Sequence, residues 1–334
     1  MKKLSEPVIA VVGGTGVVGG EMLSILEEKN FPFKEVKVLA SAHSAGEIYE
    51  FADQEIVVEE LDKDSFEGVD LALFATSASL SEQYAPIAVE AGAIVIDNSS
   101  CFRMDPAIPL VVPEVNFDAI KSEHQIIANP NCSTIQLMPV LKAIHEKAGL
   151  KRVVVSTYQA VSGAGKAAME ELWEQVRSIL SQQEVSKEVF SSQIAFNCIP
   201  HIDVFTEDSY TKEEVKVINE SRKILNLPDL AITCTAVRVP VFNSHAESVN
   251  IETKDPLNAE ECIELLDNTA GVKIARDSMQ YPMQIDVSGS DDVYVGRVRN
   301  DRSVENGLNL WVVADNLRKG AALNAIQIAE KLLG

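Results

Sequence analysis

The sequence is poor in aromatic residues, histidine and cysteine, and it has no long apolar run. Aromatics make up 6% of 334 residues, and there are five histidines. No stretch approaches the roughly 18 apolar residues that a membrane helix requires, so a soluble protein is expected. The five cysteines, at 101, 132, 198, 234 and 262, are odd in number and scattered. With no C-x-x-C pair among them they argue against a disulfide framework and a structural zinc site, and for a reducing cytoplasm. No metal ligand set is visible. Lys2 and Lys3 open the chain as a secretory signal would, but Glu6 and the glycines from Gly13 interrupt any apolar segment, so no export signal is expected. Positive charge is also scarce, 29 Lys and Arg against 50 Asp and Glu, for a net charge of -21. That balance argues against nucleic acid and anionic membrane as partners, since both reward basic patches. A small anionic substrate remains open, held by a few placed cations.

What the chain does have is core material, 46% hydrophobic residues. Its length exceeds what one ordinary core organises and predicts two domains, or one large one with an appended element. The run Pro7-Val8-Ile9-Ala10-Val11-Val12 predicts a buried strand. A glycine-rich turn, Gly13-Gly14-Thr15-Gly16-Val17-Val18-Gly19-Gly20, and a helix from Glu21 follow at once. Strand, glycine turn, helix is the order that lets backbone N-H groups approach a pyrophosphate at a helix N-terminus. The spacing, G-x-x-G-x-x-G, is a variant of the dinucleotide fingerprint; a plain βα turn is the bland reading.

A second strand is expected at Glu35–Ala40. Where NAD-selective folds place an acid for the ribose 2'-hydroxyl, this chain reads Ser41-Ala42-His43-Ser44. No carboxylate is there to repel a 2'-phosphate, and Ser41, Ser44 and His43 can donate to one, so NADP is favoured over NAD unless this is an ordinary polar loop. Strands at Asp70–Ala75 and Ala93–Asp97, with a crossover helix at Glu82–Ala91, continue the βαβ grammar of a doubly wound sheet. Thr76-Ser77-Ala78-Ser79 and Asn98-Ser99-Ser100 follow these strands at the carboxyl ends, where such sheets bind ligands. Arg103, just beyond, is either a solvated charge or a phosphate or carboxylate ligand.

Apolar residues recur at helical spacing from Ile135 to Lys147, which puts Cys132 of Asn129-Pro130-Asn131-Cys132-Ser133-Thr134 in or just before a first helical turn. Unpaired N-H groups and the helix dipole favour the nucleophilic thiolate there. A free cysteine is otherwise a small apolar core residue.

The second half begins with a strand at Lys151–Tyr158. It leads into Gln159-Ala160-Val161-Ser162-Gly163-Ala164-Gly165-Lys166 and a helix from Ala167 to about Leu180. Residues 184–204 read as mixed and loop-like. A helix from Lys212 to Leu225 opens with a capping box of Thr211 and Glu214. Glu213 and Lys216, three apart on one face, are either a surface pair or two substrate ligands. Two strands, Cys234–Pro240 and Glu247–Glu252, are joined through Phe242-Asn243-Ser244-His245. That turn brings Arg238 and His245 to one end, as a site or as a merely polar loop. A helix at Ala259–Asp267, strands at Val293–Arg299 and Leu308–Ala314, and a helix from Asn316 to Leu333 complete the chain.

The motifs G-G-T-G-V-V-G (13–19), S-S-C-F-R-M (99–104), N-P-N-C-S-T (129–134), Q-A-V-S-G-A-G (159–165), E-E-V-K (213–216), R-V-P-V-F-N-S-H (238–245) and A-D-N-L-R-K-G-A-A-L-N (314–324) together resemble the aspartate-semialdehyde dehydrogenase family along nearly the whole chain. The resemblance implies an N-terminal Rossmann domain, residues 1–131 with the closing helix 316–334, and a second α/β domain, 132–315, that carries catalysis and the homodimer contact. It implies reductive dephosphorylation of aspartyl-4-phosphate by NADPH in lysine, methionine and threonine biosynthesis. Cys132 would be the acyl-carrying nucleophile, His245 the general acid/base and Gln159 the orienting amide. It further implies Arg238 for the substrate α-carboxylate, Glu213 for its ammonium, and Arg103, Lys216 and Asn131 for phosphate. Cofactor contacts are expected from Gly13, Thr15, Gly16, Val17, Val18, Ser41, Ala42, His43, Ser44, Ser162, Gly163 and Asn316. Where the family's loop has an arginine this chain has His43, a poorer phosphate partner, which leaves some NAD use open. The related N-acetyl-glutamyl-phosphate reductases share the chemistry but carry glycine where this chain has Asn131. A non-catalytic dinucleotide sensor would not need Cys132, Gln159, Arg238 and His245 together.

Overall fold

The computed structural model describes residues 6–333. Lys2, Lys3 and Gly334, at the two ends of the expected first domain, lie outside the described residues. The chain forms two compact units, one running to Asn131 and resuming at Ala321, the other Cys132–Gly320.

The first unit contains β1 (Val8–Val12), α1 (Val17–Glu28), β2 (Glu35–Ala40), β3 (Ile48–Phe51), β4 (Gln54–Val57), β5 (Glu59–Glu60), β6 (Leu71–Phe74), α2 (Ala78–Glu90), β7 (Ile94–Asp97), α3 (Pro113–Asn116) and β8 (Ile126–Ala128). Six of these strands form a parallel sheet in the order β5-β2-β1-β6-β7-β8. Strand β1 is apolar throughout because both of its faces are covered. Ile9 and Val11 pack with Met22, Leu23, Ile25 and Leu26 of α1 and with Leu323 and Ile326 of the closing helix Leu323–Leu333. Val8, Ala10 and Val12 pack with Phe66, Phe74, Ala85 and Ala88 on the other side. The chain leaves β1 toward β2 and returns to β6 on the opposite flank, so the glycine turn after β1 lies at the point where strand order reverses.

Two details of the expected first domain are revised. Ser77 is the N-cap of α2, its hydroxyl accepting from the Leu80 N-H, so the crossover helix begins at Ala78, four residues before the expected Glu82. The closing helix starts at Leu323 after a wide π turn at Arg318–Ala322, and residues 316–320 belong to the second unit. The reason is local: Asn316 is tied by hydrogen bonds to Ser162 and Ser244.

The second unit contains α4 (Cys132–Ala148), β9 (Leu150–Gln159), α5 (Lys166–Leu180), α6 (Lys212–Leu225), β10 (Ala231–Arg238), β11 (His245–Thr253), α7 (Ala259–Asp267), β12 (Val272–Ile274), α8 (Gln284–Val287), β13 (Val293–Asn300) and β14 (Gly307–Ala314). Its mixed sheet has the order β10-β9-β11-β14-β13-β12. Strands β10 and β11 are therefore not a hairpin, since β9 lies between them, parallel to β10 and antiparallel to β11. Helix α6 begins as expected with Thr211 and Glu214 closing a capping box. One face of the sheet is buried under helices. The other alternates to half-exposed residues such as Val154, Ser156 and Tyr158.

Glu247 of β11 is a buried anomaly on the helix-covered face. It stands opposite Thr157 on one side and Val312 on the other. Neither of its carboxyl oxygens, nor either polar atom of the neighbouring Gln136 amide, reaches hydrogen-bonding geometry. Burial pushes its pKa well above the carboxylate range, with the Gln136 amide opposing weakly. A raised folded-state pKa gives stability that is full below the unfolded pKa and is lost as pH rises through the folded one. Glu247→Gln should thus raise the melting temperature at pH 8, by about 2–4 °C per kcal/mol of relief, with the gain vanishing near pH 4. Thermal melts at both pH values check this; a gain independent of pH would contradict it.

Candidate active site

Strand register brings three polar side chains into one row. Arg238, the last residue of β10, pairs with Gln159, the last of β9. One step beyond the pair Ala246–Tyr158, His245, the first residue of β11, falls opposite Gln159. All three are buried, at 6%, 1% and 0% exposure. The chain crosses the end of β9 between Arg238 and His245, which is why residues seven apart in sequence meet there.

Hydrogen bonds aim each member of the row. The Arg238 Nη1 donates to the Ala160 carbonyl at 2.6 Å, and among the described residues no other bond of its guanidinium is seen. The Ala160 N-H donates to His245 Nδ1 at 3.1 Å, which places the ring proton on Nε2. That Nε2 is buried and has no hydrogen-bond partner. Burial, and then the Arg238 charge, bring the His245 pKa down to about 3, so the ring is neutral. Gly163 lies directly beneath the pair. A Cβ there would stand 3.2 Å from Arg238 Nη1 and 3.3 Å from His245 Nε2, so a side chain would press on both.

Gln159 accepts from the Thr157 hydroxyl at 3.0 Å and donates to Glu213 Oε1 at 3.1 Å. Glu213, on the first turn of α6, holds Lys216 at 3.2 Å through its other oxygen. Lys216 also reaches Asp203 at 2.8 Å, a partner sequence reading did not identify. Burial works to lower the Lys216 pKa, but Glu213 and Asp203 prevail and raise it, so the ammonium stays charged. The two are thus a pair of buried Glu213 and half-buried Lys216 in the same network as the row.

Cys132 is the first residue of the 17-residue helix α4 and is half-buried. Gly320 closes over it, where a Cβ would stand 3.2 Å from that of Cys132. Cys132 is near enough to Arg238 for its charge to act on the guanidinium. Ser162 and Asn316 are both buried and bonded to each other, Oγ to Oδ1 at 3.2 Å. Cys132, Gln159, Ser162, Gly163, Glu213, Lys216, Arg238, His245 and Asn316 therefore all lie in the second unit.

The remaining candidates lie in the first unit. Gly13 takes φ +81°, and a Cβ on it would stand 2.4 Å from the Ala75 carbonyl; one on Gly19 would stand 2.2 Å from the Gly13 carbonyl. Only glycine allows this turn. Thr15 and Gly16 are exposed, Val17 and Val18 partly so, and Gly16 caps α1 without any side-chain bond. A helix N-terminus left uncapped behind a turn this tight fits a pyrophosphate. Gly13 donates to the Leu39 carbonyl at 2.8 Å, which fixes the end of β2 beside the turn and presents exposed Ser41, Ala42 and His43 with Ser44. Arg103 is buried, donating to the Asn98 carbonyl at 2.7 Å. Its loop is organised by buried Asp97, which accepts from the hydroxyls of Ser81 and Ser99, each at 2.7 Å. An acid ending an otherwise apolar strand was the available signal for Asp97. Asn131 is buried at the boundary of the unit. Among the described residues no group of His, Cys, Asp and Glu could hold a metal ion, and no helix is long and apolar enough to cross a membrane.

Comparison with known proteins places the chain among similar ones over nearly its whole length. The profile "Semialdehyde dehydrogenase, NAD binding domain" matches residues 8–123, and "Semialdehyde dehydrogenase, dimerisation domain" matches residues 141–319. The aspartate-semialdehyde dehydrogenase of Aquifex aeolicus is 51% identical over 331 residues, covering 97% of both chains. That of Bacillus subtilis is 49% identical, covering 97% of this chain and 96% of the other. The crystal structure of aspartate semialdehyde dehydrogenase II of Vibrio cholerae, complexed with ASA, superimposes with a TM-score of 0.96 at 49% identity, covering 99% of this chain and 98% of that one.

The nearness of Arg238 to Cys132 has a consequence for thiol chemistry. Anionic iodoacetate should alkylate Cys132 faster, relative to neutral iodoacetamide, than it alkylates exposed Cys198. In Arg238→Leu that preference should fall about tenfold, the loss of ~1.4 kcal/mol of charge attraction. Peptide mapping of the modified cysteines measures both rates; an unchanged ratio would remove Arg238 from the vicinity of the sulfur.

Proposed function

Because the chain belongs to the aspartate-semialdehyde dehydrogenase family, we propose that it reduces aspartyl-4-phosphate to aspartate semialdehyde with release of phosphate. The observation that carries this reading is the row Arg238, Gln159 and His245 beside a cysteine at a helix N-terminus. The Cys132 thiolate, favoured by the helix dipole, attacks the acyl carbon, and the C-O bond to phosphate breaks to leave a thioester. A covalent intermediate divides one difficult step into two. When bound, the reduced nicotinamide supplies the hydride that converts the thioester to a thiohemiacetal. Collapse of that species breaks the C-S bond and returns the thiolate.

The remaining residues bind and orient. Arg238 has guanidinium donors left for the α-carboxylate, in a bidentate pairing that lysine could not reproduce. Glu213 takes the α-ammonium, and Gln159, already bonded to Glu213, fixes the amino acid end. Phosphate recognition is assigned to Arg103 and Asn131, and to Lys216. His245 Nε2 faces the reacting oxygen as a hydrogen-bond donor, an arrangement typically worth ~10²- to 10³-fold in rate.

For the cofactor, NADP is the proposed partner of the turn Gly13–Val18 and the loop Ser41–Ser44, on the ground that the loop offers hydroxyls, an imidazole and no carboxylate. Some use of NAD follows from His43. We assign the second unit to a homodimer, supported by the dimerisation profile and by exposed Met279, Tyr281, Met283 and Ile285. Five free thiols suit the reducing cytoplasm.

The test is phosphate-dependent reduction of NADP by aspartate semialdehyde. Wild type should be active and Cys132→Ala should lose about 10³-fold or more, as nucleophile removal does elsewhere. An inactive wild type, or an active Cys132→Ala, defeats the reading. His43→Arg should raise the ratio of kcat/KM for NADP over NAD by about tenfold, one charged hydrogen bond's worth; an unaltered ratio would place the 2'-phosphate elsewhere.

A further inference from the structure

His245 depends on the residue before it, and that residue is held in an unusual way. Ser244 has φ +70°, a left-handed conformation that non-glycine residues rarely adopt, and it is fully buried. Such a conformation is strained and persists only when its surroundings hold it. Both of its peptide groups are in fact held by side chains distant in sequence. The Ser244 N-H donates to Asn316 Oδ1 at 2.8 Å. The Ser244 carbonyl accepts from Gln284 Nε2 at 2.6 Å. The same Nε2 donates to the Tyr158 carbonyl at 3.0 Å. Tyr158 and Ser244 are the residues immediately before Gln159 and His245. One amide thus ties together the end of β9 and the start of β11, the two strands whose register sets the row.

From this geometry we infer that Gln284 is a positioning residue for the reaction: by holding the Ser244 and Tyr158 carbonyls it fixes His245 Nε2 at the angle the reacting oxygen needs. Gln284 acts through the backbone and touches neither substrate nor thiol. It lies on α8, outside every motif that carries the family resemblance. The inference rests on the reading of His245 as the donor to the reacting oxygen.

Two variants test it. Gln284→Leu keeps the bulk and removes both donated bonds; Gln284→Glu keeps the shape and turns an acceptor toward two carbonyls. Each should lower kcat by about 10- to 100-fold, the scale on which small misplacement acts. KM for aspartate semialdehyde should stay within about threefold, because Arg238 and Glu213 are untouched. Alkylation of Cys132 by iodoacetamide should proceed at the wild-type rate. In Gln284→Glu the deficit should shrink at acid pH, as the carboxyl gains a proton and donates one bond again. With 15N-histidine, the wild-type His245 signal should not titrate between pH 5 and 8, whereas in Gln284→Leu it should titrate as the ring loosens toward water. Wild-type kcat in both variants, or kcat, KM and alkylation all falling together, would overturn the role. An inactive wild type would defeat the reading of the reaction but leave the histidine titration to decide the clamp.

Discussion

Keeping charge out of water is the constraint on which the second unit turns. Arg238 and Glu213 are each at 6% exposure, and His245 at none. An isolated ion in such a place would cost several kcal/mol, so each must be paired, hydrogen-bonded or neutral. Glu213 is paired, with Lys216 and the Gln159 amide. Arg238 is bonded to the Ala160 carbonyl and is only partly relieved, its pKa held down by burial against the pull of Glu213 and Cys132. His245 gives up its proton instead. The group left least compensated is the guanidinium. In the proposed reading an incoming carboxylate completes it, and substrate binding would repay a desolvation that folding has already incurred.

The same constraint explains the topology around the row. Three side chains with different chemical demands must share one end of a sheet without any of them lying on a mobile loop. Placing Arg238 last on β10, Gln159 last on β9 and His245 first on β11 achieves this, because backbone pairing fixes all three alphas at once. Ala160, one residue past β9, then serves two of them with its two peptide groups, its carbonyl to Arg238 and its N-H to His245. The first unit solves a different problem with the same economy: glycine at 13 and 19 removes the side chains that would fill the turn, and α1 begins uncapped beside it.

Much of this was legible in the residues. The strand and glycine turn at 8–20 carry their own signal, since a continuous apolar run ending in glycines has few other uses. Cys132 at a helix start followed from the spacing of Ile135, Leu137, Met138 and Leu141, and Thr211 with Glu214 announced a cap. What periodicity could not reach was the order of strands. Arg238 and His245 read as the two sides of a turn, whereas β9 separates their strands, and that order is set by long-range pairing that no local window contains. Glu247 was hidden for a similar reason, because an acid in a strand reads as facing solvent until the register puts it on the helix face. Gln284 has no signature at all, being a glutamine between exposed Met283 and Ile285 whose partners are backbone carbonyls. The boundary near residue 320 was missed because helical spacing continues through Asn316, while the hydrogen bonds of that asparagine hold it in the second unit.

The tautomer of His245 sharpens what the ring is asked to do. Ala160 presents an N-H to Nδ1, so a doubly protonated ring would face donor against donor, and Arg238 adds a like charge. A resting imidazolium is disfavoured on both counts. The proton balance of the proposed reaction does not demand one. Thiolate attack, hydride addition and collapse of the thiohemiacetal begin and end with thiolate, so the carbon chemistry consumes no proton; the one taken up overall belongs to the departing phosphate. What the tetrahedral species needs is a donor to its oxyanion, and a neutral ring with Nε2-H meets that need without reorganising. As negative charge develops on that oxygen it raises the affinity of the ring for a proton, so any acid function arises during the reaction rather than in the resting enzyme. In the proposed reaction the burial that keeps His245 neutral suits it to the part of a donor, for which the aim of Nε2 counts for more than its basicity.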